Sequence, residues 1–112
     1  MIIKALENWN YTPDFGHNKD QNLKDQTAYT FRILSGRDDL ELRKEGKDVF
    51  PDSLVSVIAN VKNPPILRDA TGKDKISKVQ DLSDRPELKG LYMELIIEYG
   101  KHSVLDEESG KL

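Results

Sequence analysis

Few residues in this chain of 112 are of types that do chemistry, and their spacing serves it poorly. The two histidines, His17 and His102, lie far apart, and neither has a second histidine at i+3 or i+4. A metal centre needs several converging ligands, so neither is expected to hold one. Asp69-Ala-Thr-Gly-Lys-Asp74 has a superficial likeness to a calcium loop. It lacks the alternating acids and the closing bidentate glutamate, and Gly72-Lys73 lacks the upstream glycine of a phosphate loop. A turn is the simpler expectation. Asp38-Asp39 and Glu107-Glu108 are adjacent acids. Neighbours on a helix diverge by about 100°, so such pairs do not face one scissile bond. Cysteine is absent, as is any Gly-x-Ser-x-Gly elbow. The expectation is a protein with no catalytic residue, no metal and no cofactor, and hence not an enzyme.

Charge and hydropathy narrow the partners. There are 17 basic and 20 acidic residues, a net charge of −3, and the two signs alternate along the chain. A nucleic-acid binder usually gathers its cations on one face, so no nucleic-acid partner is expected. The apolar runs fall far short of the roughly 18 residues that span a bilayer, and no basic-then-apolar leader opens the chain. A cytoplasmic protein with no membrane partner is expected.

These residues must be positioned by a few short elements. Met1 to Leu6 is an apolar start, a strand or an anchored arm. Asn8 to Gln26 has loop composition and is long for a loop, yet Trp9, Tyr11 and Phe15 punctuate it. A solvated linker seldom carries three aromatics, so these are expected to contact a partner outside the core. Thr27 to Leu34 is the best strand, with Tyr29, Phe31 and Ile33 on one face. Ser35 to Asp38 forms a capping-box pattern, predicting a helix over 37–45 that ends at Gly46.

Leu54, Val57, Ile58 and Val61 recur at i, i+3, i+4 and i+7, which predicts a helix over 50–61 with Pro51 and Asp52 in its first turn. The rival is a strand, because the segment is rich in β-branched residues. Its exposed edge, at Leu54 and Ile58, is the second expected partner contact. Residues 66–76 read as a loop or small hairpin, and 78–82 as irregular. The strongest helix carries Leu88, Leu91, Leu95 and Tyr99 on one stripe, starts near Pro86 and is expected to stop at Gly100. The fold class expected is α+β and mostly α, a small N-terminal strand element packed on several amphipathic helices. One domain is expected over 1–112, with 8–26 a long polar loop and 109–112 a frayed tail.

The order of these signals resembles the tail assembly chaperone-like proteins of bacteriophages and prophages. Residues 30–38, Thr-Phe-Arg-Ile-Leu-Ser-Gly-Arg-Asp, resemble that family's strand-to-helix turn. Val61 to Lys73 resembles the segment after its middle helix, though Pro64-Pro65-Ile66 stands where a Trp is expected. Residues 83–98 resemble its closing helix, and 103–108 its Ser-x-Leu-x-Glu-Glu ending. The likeness covers roughly residues 28–108 and leaves 8–26 without a counterpart.

The resemblance implies a non-enzymatic role: binding the long, helical, aggregation-prone tape measure protein, assisting assembly of the tail tube, then leaving. It implies tape measure and tail tube proteins as partners, met by a monomer or weak homo-oligomer. Two other roles compete. One is a structural head–tail connector or tail component that stays in the particle. The other is a small host-directed inhibitor, against which the near balance of charge argues.

Overall fold

The computed structural model describes the backbone of residues 1–3, 5–44 and 54–111, and their side chains apart from 39, 42, 43 and 102–111. The sequence-predicted starts at Pro51 and Asp52, the Gly46 cap and the side chains of His102 and Ser103 lie outside the described residues.

Three strands form an antiparallel sheet in chain order: β1 (Trp9–Tyr11), β2 (Ala28–Phe31) and β3 (Ile58–Lys62). Trp9 pairs with Phe31 and Tyr11 with Tyr29 across β1–β2, and Tyr29 pairs with Val61 across β2–β3. Tyr29 and Phe31 are buried, as period-two alternation requires of a half-buried strand. Ser35 then starts α1 (Gly36–Lys44). Its hydroxyl accepts the Asp38 N–H at 3.2 Å, and the Asp38 carboxylate accepts the Ser35 N–H at 3.0 Å, so the predicted capping box forms reciprocally. These bonds hold the Asp38 carboxyl below its usual range.

The mostly α expectation is contradicted in the segment predicted as the middle helix. Among its described residues, 54–61, Leu54–Val57 are helical (α2) and Ile58 begins β3. The cause is a β-bulge. Thr30 pairs with Asn60 and Phe31 with Ile58, so Ala59 is the extra residue. The bulge shifts the strand's phase by one, and Ile58 and Val61, three apart, both pack against the core. One helical turn followed by a bulged strand therefore imitates the spacing of a continuous helix.

Two further strands, β4 (Ile66–Arg68) and β5 (Asp74–Ile76), form a separate antiparallel hairpin, one of the two forms expected for 66–76. Gly72, with φ +86°, makes its turn, and the Asp69 carboxylate accepts the N–H groups of Thr71 and Lys73 and the Thr71 hydroxyl. Residues 78–82, expected to be irregular, contain the start of a short helix, α3 (Asp81–Asp84). Pro86 opens a 3-10 turn that leads into α4 (Lys89–Lys111). The helix passes through Gly100 instead of ending there, since one interior glycine costs only about 1 kcal/mol and can be tolerated.

The core gathers Tyr29 and Phe31 from the sheet, Leu54 and Val57 from α2, Leu82 from α3, and Leu88, Leu91, Leu95 and Tyr99 from the closing helical segment. Sheet and helices thus share it, which is the correction to strands packed as a minor element on a helical body. Trp9 stacks on Tyr99 with ring centroids 5.4 Å apart and lies 5.2 Å from Phe31. No helix among the described residues is long and apolar enough to cross a membrane.

Candidate interaction surface

The segment expected to be a long polar loop is a built structure. Between β1 and β2 it contains a 3-10 turn, Phe15–Asp20. Gly16 and His17 both take left-handed backbone angles, which reverses the chain. The buried Asn18 organises the rest of the segment. Its Nδ2 donates to the carbonyls of Pro13 and Thr27, each at 2.8 Å, and its Oδ1 accepts the Thr27 N–H at 2.7 Å and Gln21 Nε2 at 3.1 Å. One side chain therefore ties residue 13 to residue 27 and closes a compact Ω-type loop.

Two further side chains fasten this loop. Asn63, itself left-handed at φ +51°, donates from Nδ2 to the carbonyls of Lys24 and Gln26, and its own carbonyl accepts the Thr27 hydroxyl at 2.6 Å. On α4, Glu94 accepts the Tyr11 hydroxyl at 2.6 Å and the N–H groups of Asp14 and Phe15 at 2.8 and 3.1 Å. Burial and then the Glu94 carboxylate push the Tyr11 phenol well above its usual range, so it stays a donor.

The loop held this way lays the Phe15 ring on Gly90, which leaves the space a Cβ would fill. Gly90, Met93 and Ile97 share one outward face of α4, at i, i+3 and i+7. Phe15, Met93 and Ile97 are 38%, 47% and 52% exposed. They make an apolar stripe beside Glu94, Glu98 and Lys101, the last two being 3.5 Å apart.

On the other side of the loop a cleft of about 1400 Å³ opens toward the hairpin. Phe15, Leu67, Leu88 and Leu91 give it an apolar lining, with the cross-strand pair Ile66 and Ile76 at the hairpin. Arg68 and Asp74, paired at 2.6 Å, stand among its charged residues. His17 faces Asp20 at 3.4 Å on the surface, and no group of three or more His, Cys, Asp or Glu among the described residues could hold a metal ion.

The five residues singled out for partner contact fall in different settings. Phe15 is exposed and joins both surfaces. Trp9 and Tyr11 are half-buried, one packed on the core and the other bonded to Glu94. Leu54 is fully buried, and Ile58 is half-buried against the core. The structure brings Trp9 and Tyr11 together with α4, and leaves Leu54 and Ile58 on the sheet side. Met93, Ile97, Ile66 and Ile76 were missed. Met93 and Ile97 did carry a signal: they are apolar residues that fall off the Leu88–Tyr99 stripe. Asn18, Asn63 and Glu94 carried none, because polar anchors leave no periodicity. Comparison with known proteins finds no matching family model, no matching curated protein and no matching solved structure.

Proposed function

We propose that this chain is a phage or prophage tail assembly chaperone, working in the host bacterial cytoplasm without catalysis or cofactor. Its partner is the tape measure protein, which it keeps soluble until the tail tube closes around it. The observation that carries this reading is the Phe15–Met93–Ile97 stripe on α4. A tape measure protein is a long helix with apolar stripes of its own. A stripe at i, i+3 and i+7 with charges alongside is the complement of such a helix. Three partly exposed side chains bind weakly, and many copies along one long chain turn weak contacts into avidity.

The test is co-expression with the tape measure protein of the genome that encodes this chain. Solubilisation and co-purification are expected, and both should be lost with Phe15→Ala combined with Met93→Ala. No rescue and no complex would overturn the reading. So would this chain in purified virions as a stoichiometric component, which points to a connector or tail subunit.

A further inference from the structure

The β4–β5 hairpin is an unfinished sheet. Its strands are three residues long, and no third strand joins them among the described residues. The ladder fixes which backbone groups are left over. The Asp69 N–H donates to the Lys73 carbonyl at 2.9 Å, and the Ser77 N–H to the Pro65 carbonyl at 2.9 Å. These two pairs are of the hydrogen-bonded kind, and by alternation so is the Leu67–Lys75 pair between them. Ile66–Ile76 and Arg68–Asp74 are the non-bonded pairs, whose N–H and C=O groups point outward from the hairpin. On β5 these are the groups of Asp74 and Ile76, and all three residues of that strand are exposed. An open edge of this kind is a template for another strand.

The two faces of the hairpin differ in chemistry, because cross-strand partners share a face. One face holds Ile66 and Ile76, which are 63% and 66% exposed, and beside them the Arg68–Asp74 ion pair, whose charges cancel. The other holds Leu67, packed on the core, with Lys75 opposite it and Lys73 two residues along the strand. Lys73 and Lys75 are exposed and make no ion pair among the described residues. Asp69 is engaged in its own turn, where it accepts the Thr71 and Lys73 N–H groups and the Thr71 hydroxyl. Residues 62–79 carry five basic and two acidic residues, so the hairpin region is positive in a chain of net charge −3.

We infer that the β5 edge takes up an extended segment of another protein, one that alternates acidic and apolar residues and pairs antiparallel with Asp74–Ile76. Alternation sets its apolar side chains beside Ile76 and its acidic ones beside Lys75 and Lys73. Residues directly opposite each other share a face, so the residues that exchange backbone bonds with Asp74 and Ile76 are the apolar ones. Lysine on an edge deters strand pairing. Here the deterrence is selective, since it rejects a basic strand while charge complementarity admits an acidic one. The chain's own first six residues, Met-Ile-Ile-Lys-Ala-Leu, contain no acid and do not match this edge. A strand of three residues offers few bonds, so the contact is weak and adds to others. The inference rests on the hairpin alone and stands apart from the chaperone reading, whose surface is the α4 stripe.

Nuclear magnetic resonance titration of the full chain with a capped seven-residue peptide alternating glutamate and valine tests it. Shifts are expected at the amides of residues 73–77, with those of Met93 and Ile97 unmoved. Methylating the valine nitrogens should abolish binding, because those N–H groups meet the edge. Methylating the glutamate nitrogens should leave most of it, because those point to solvent. Lys73→Glu with Lys75→Glu should weaken the acidic peptide roughly tenfold or more and should gain a peptide with lysine in place of glutamate. Both positions are exposed, and circular dichroism checks that the variant is folded. No shifts at millimolar peptide, shifts centred on the α4 stripe, equal binding after valine methylation, or an acidic peptide still held by the charge-reversed variant would each overturn the inference. So would an oligothymidylate that shifts these amides where the peptide does not, which would make the hairpin a nucleic-acid contact.

Discussion

The Phe15 ring lies so close over Gly90 that a Cβ placed there would stand 2.6 Å from Phe15 Cε1. The helix gives up a side chain so that the loop can add one to its outer face. Gly90→Ala therefore sets two effects against each other. It gains up to about 1 kcal/mol of helix propensity, while the methyl pushes away a ring that has solvent to move into. The melting temperature should hold or rise, and under the proposed role capture of the tape measure protein should fall. A lower melting temperature would mean that the Phe15 contact is part of the core.

Glu94 fastens three donors to α4 at once. Glu94→Ala leaves them to water, and since the site is only half-buried the loss should be about 1–2 kcal/mol. Glu94→Gln keeps an acceptor for the Tyr11 hydroxyl and should cost less. In a double-mutant cycle with Tyr11→Phe, the coupling should be about 0.5–1.5 kcal/mol by denaturant unfolding. Additive single effects would show that the 2.6 Å bond contributes nothing net.

Asn18 is a harsher case because it is buried. Asn18→Ala removes the partner of two carbonyls, one backbone N–H and the Gln21 amide. A loss of roughly 3 kcal/mol is expected, with hydrogen exchange speeding up across 13–27 before the sheet. Asn18→Asp should be no milder, since a carboxylate accepts but cannot donate to the Pro13 and Thr27 carbonyls. Unchanged exchange in 13–27 would show that the loop does not depend on this side chain.

Local patterns in the sequence carried through where one short-range rule governs. The strand around Tyr29 and Phe31 and the Ser35–Asp38 box are of this kind, and so is the Asp69–Gly72 turn. Patterns misled where a tertiary feature intervened. The bulge at Ala59 made Ile58 and Val61 look helical. The residues 8–26, polar enough to read as an open loop, fold because Asn18, Asn63 and Glu94 satisfy their backbone from three directions. Nothing local distinguishes such an asparagine or glutamate from a surface one. Of the candidate surface, Phe15 was legible because an aromatic in a polar stretch needs a reason. Gly90 was not, because a helical glycine shows its purpose only when the ring above it is seen.

Trp9 and Phe15 belong to the same stretch of sequence but should behave oppositely. Trp9 is half-buried against Phe31 and Tyr99, so Trp9→Ala should lose about 2–4 kcal/mol and lower the melting temperature by several degrees. Phe15→Ala should stay within about 1 kcal/mol of wild type, because the ring is partly in water and covers only a glycine. Chemical denaturation checks both. Equal losses would place Phe15 in the core and remove it from the interaction surface.

Alkaline pH should reveal the two shielded phenols. Burial alone pushes Tyr29 upward, and burial followed by the Glu94 carboxylate does the same for Tyr11. Both groups are neutral when protonated, and folding favours that form. Their folded-state pKa values thus lie above the unfolded value near 10. Their contribution to stability is intact below pH about 10 and is lost as pH rises beyond it. Absorbance at 295 nm should therefore show at least two of the four tyrosines ionising only together with the loss of near-ultraviolet circular dichroism. Tyr11→Phe should remove one of the late phenols and flatten the alkaline fall in stability. If all four instead ionise near pH 10 in a protein that keeps its tertiary signal, neither the Tyr11–Glu94 bond nor the burial of Tyr29 persists in solution.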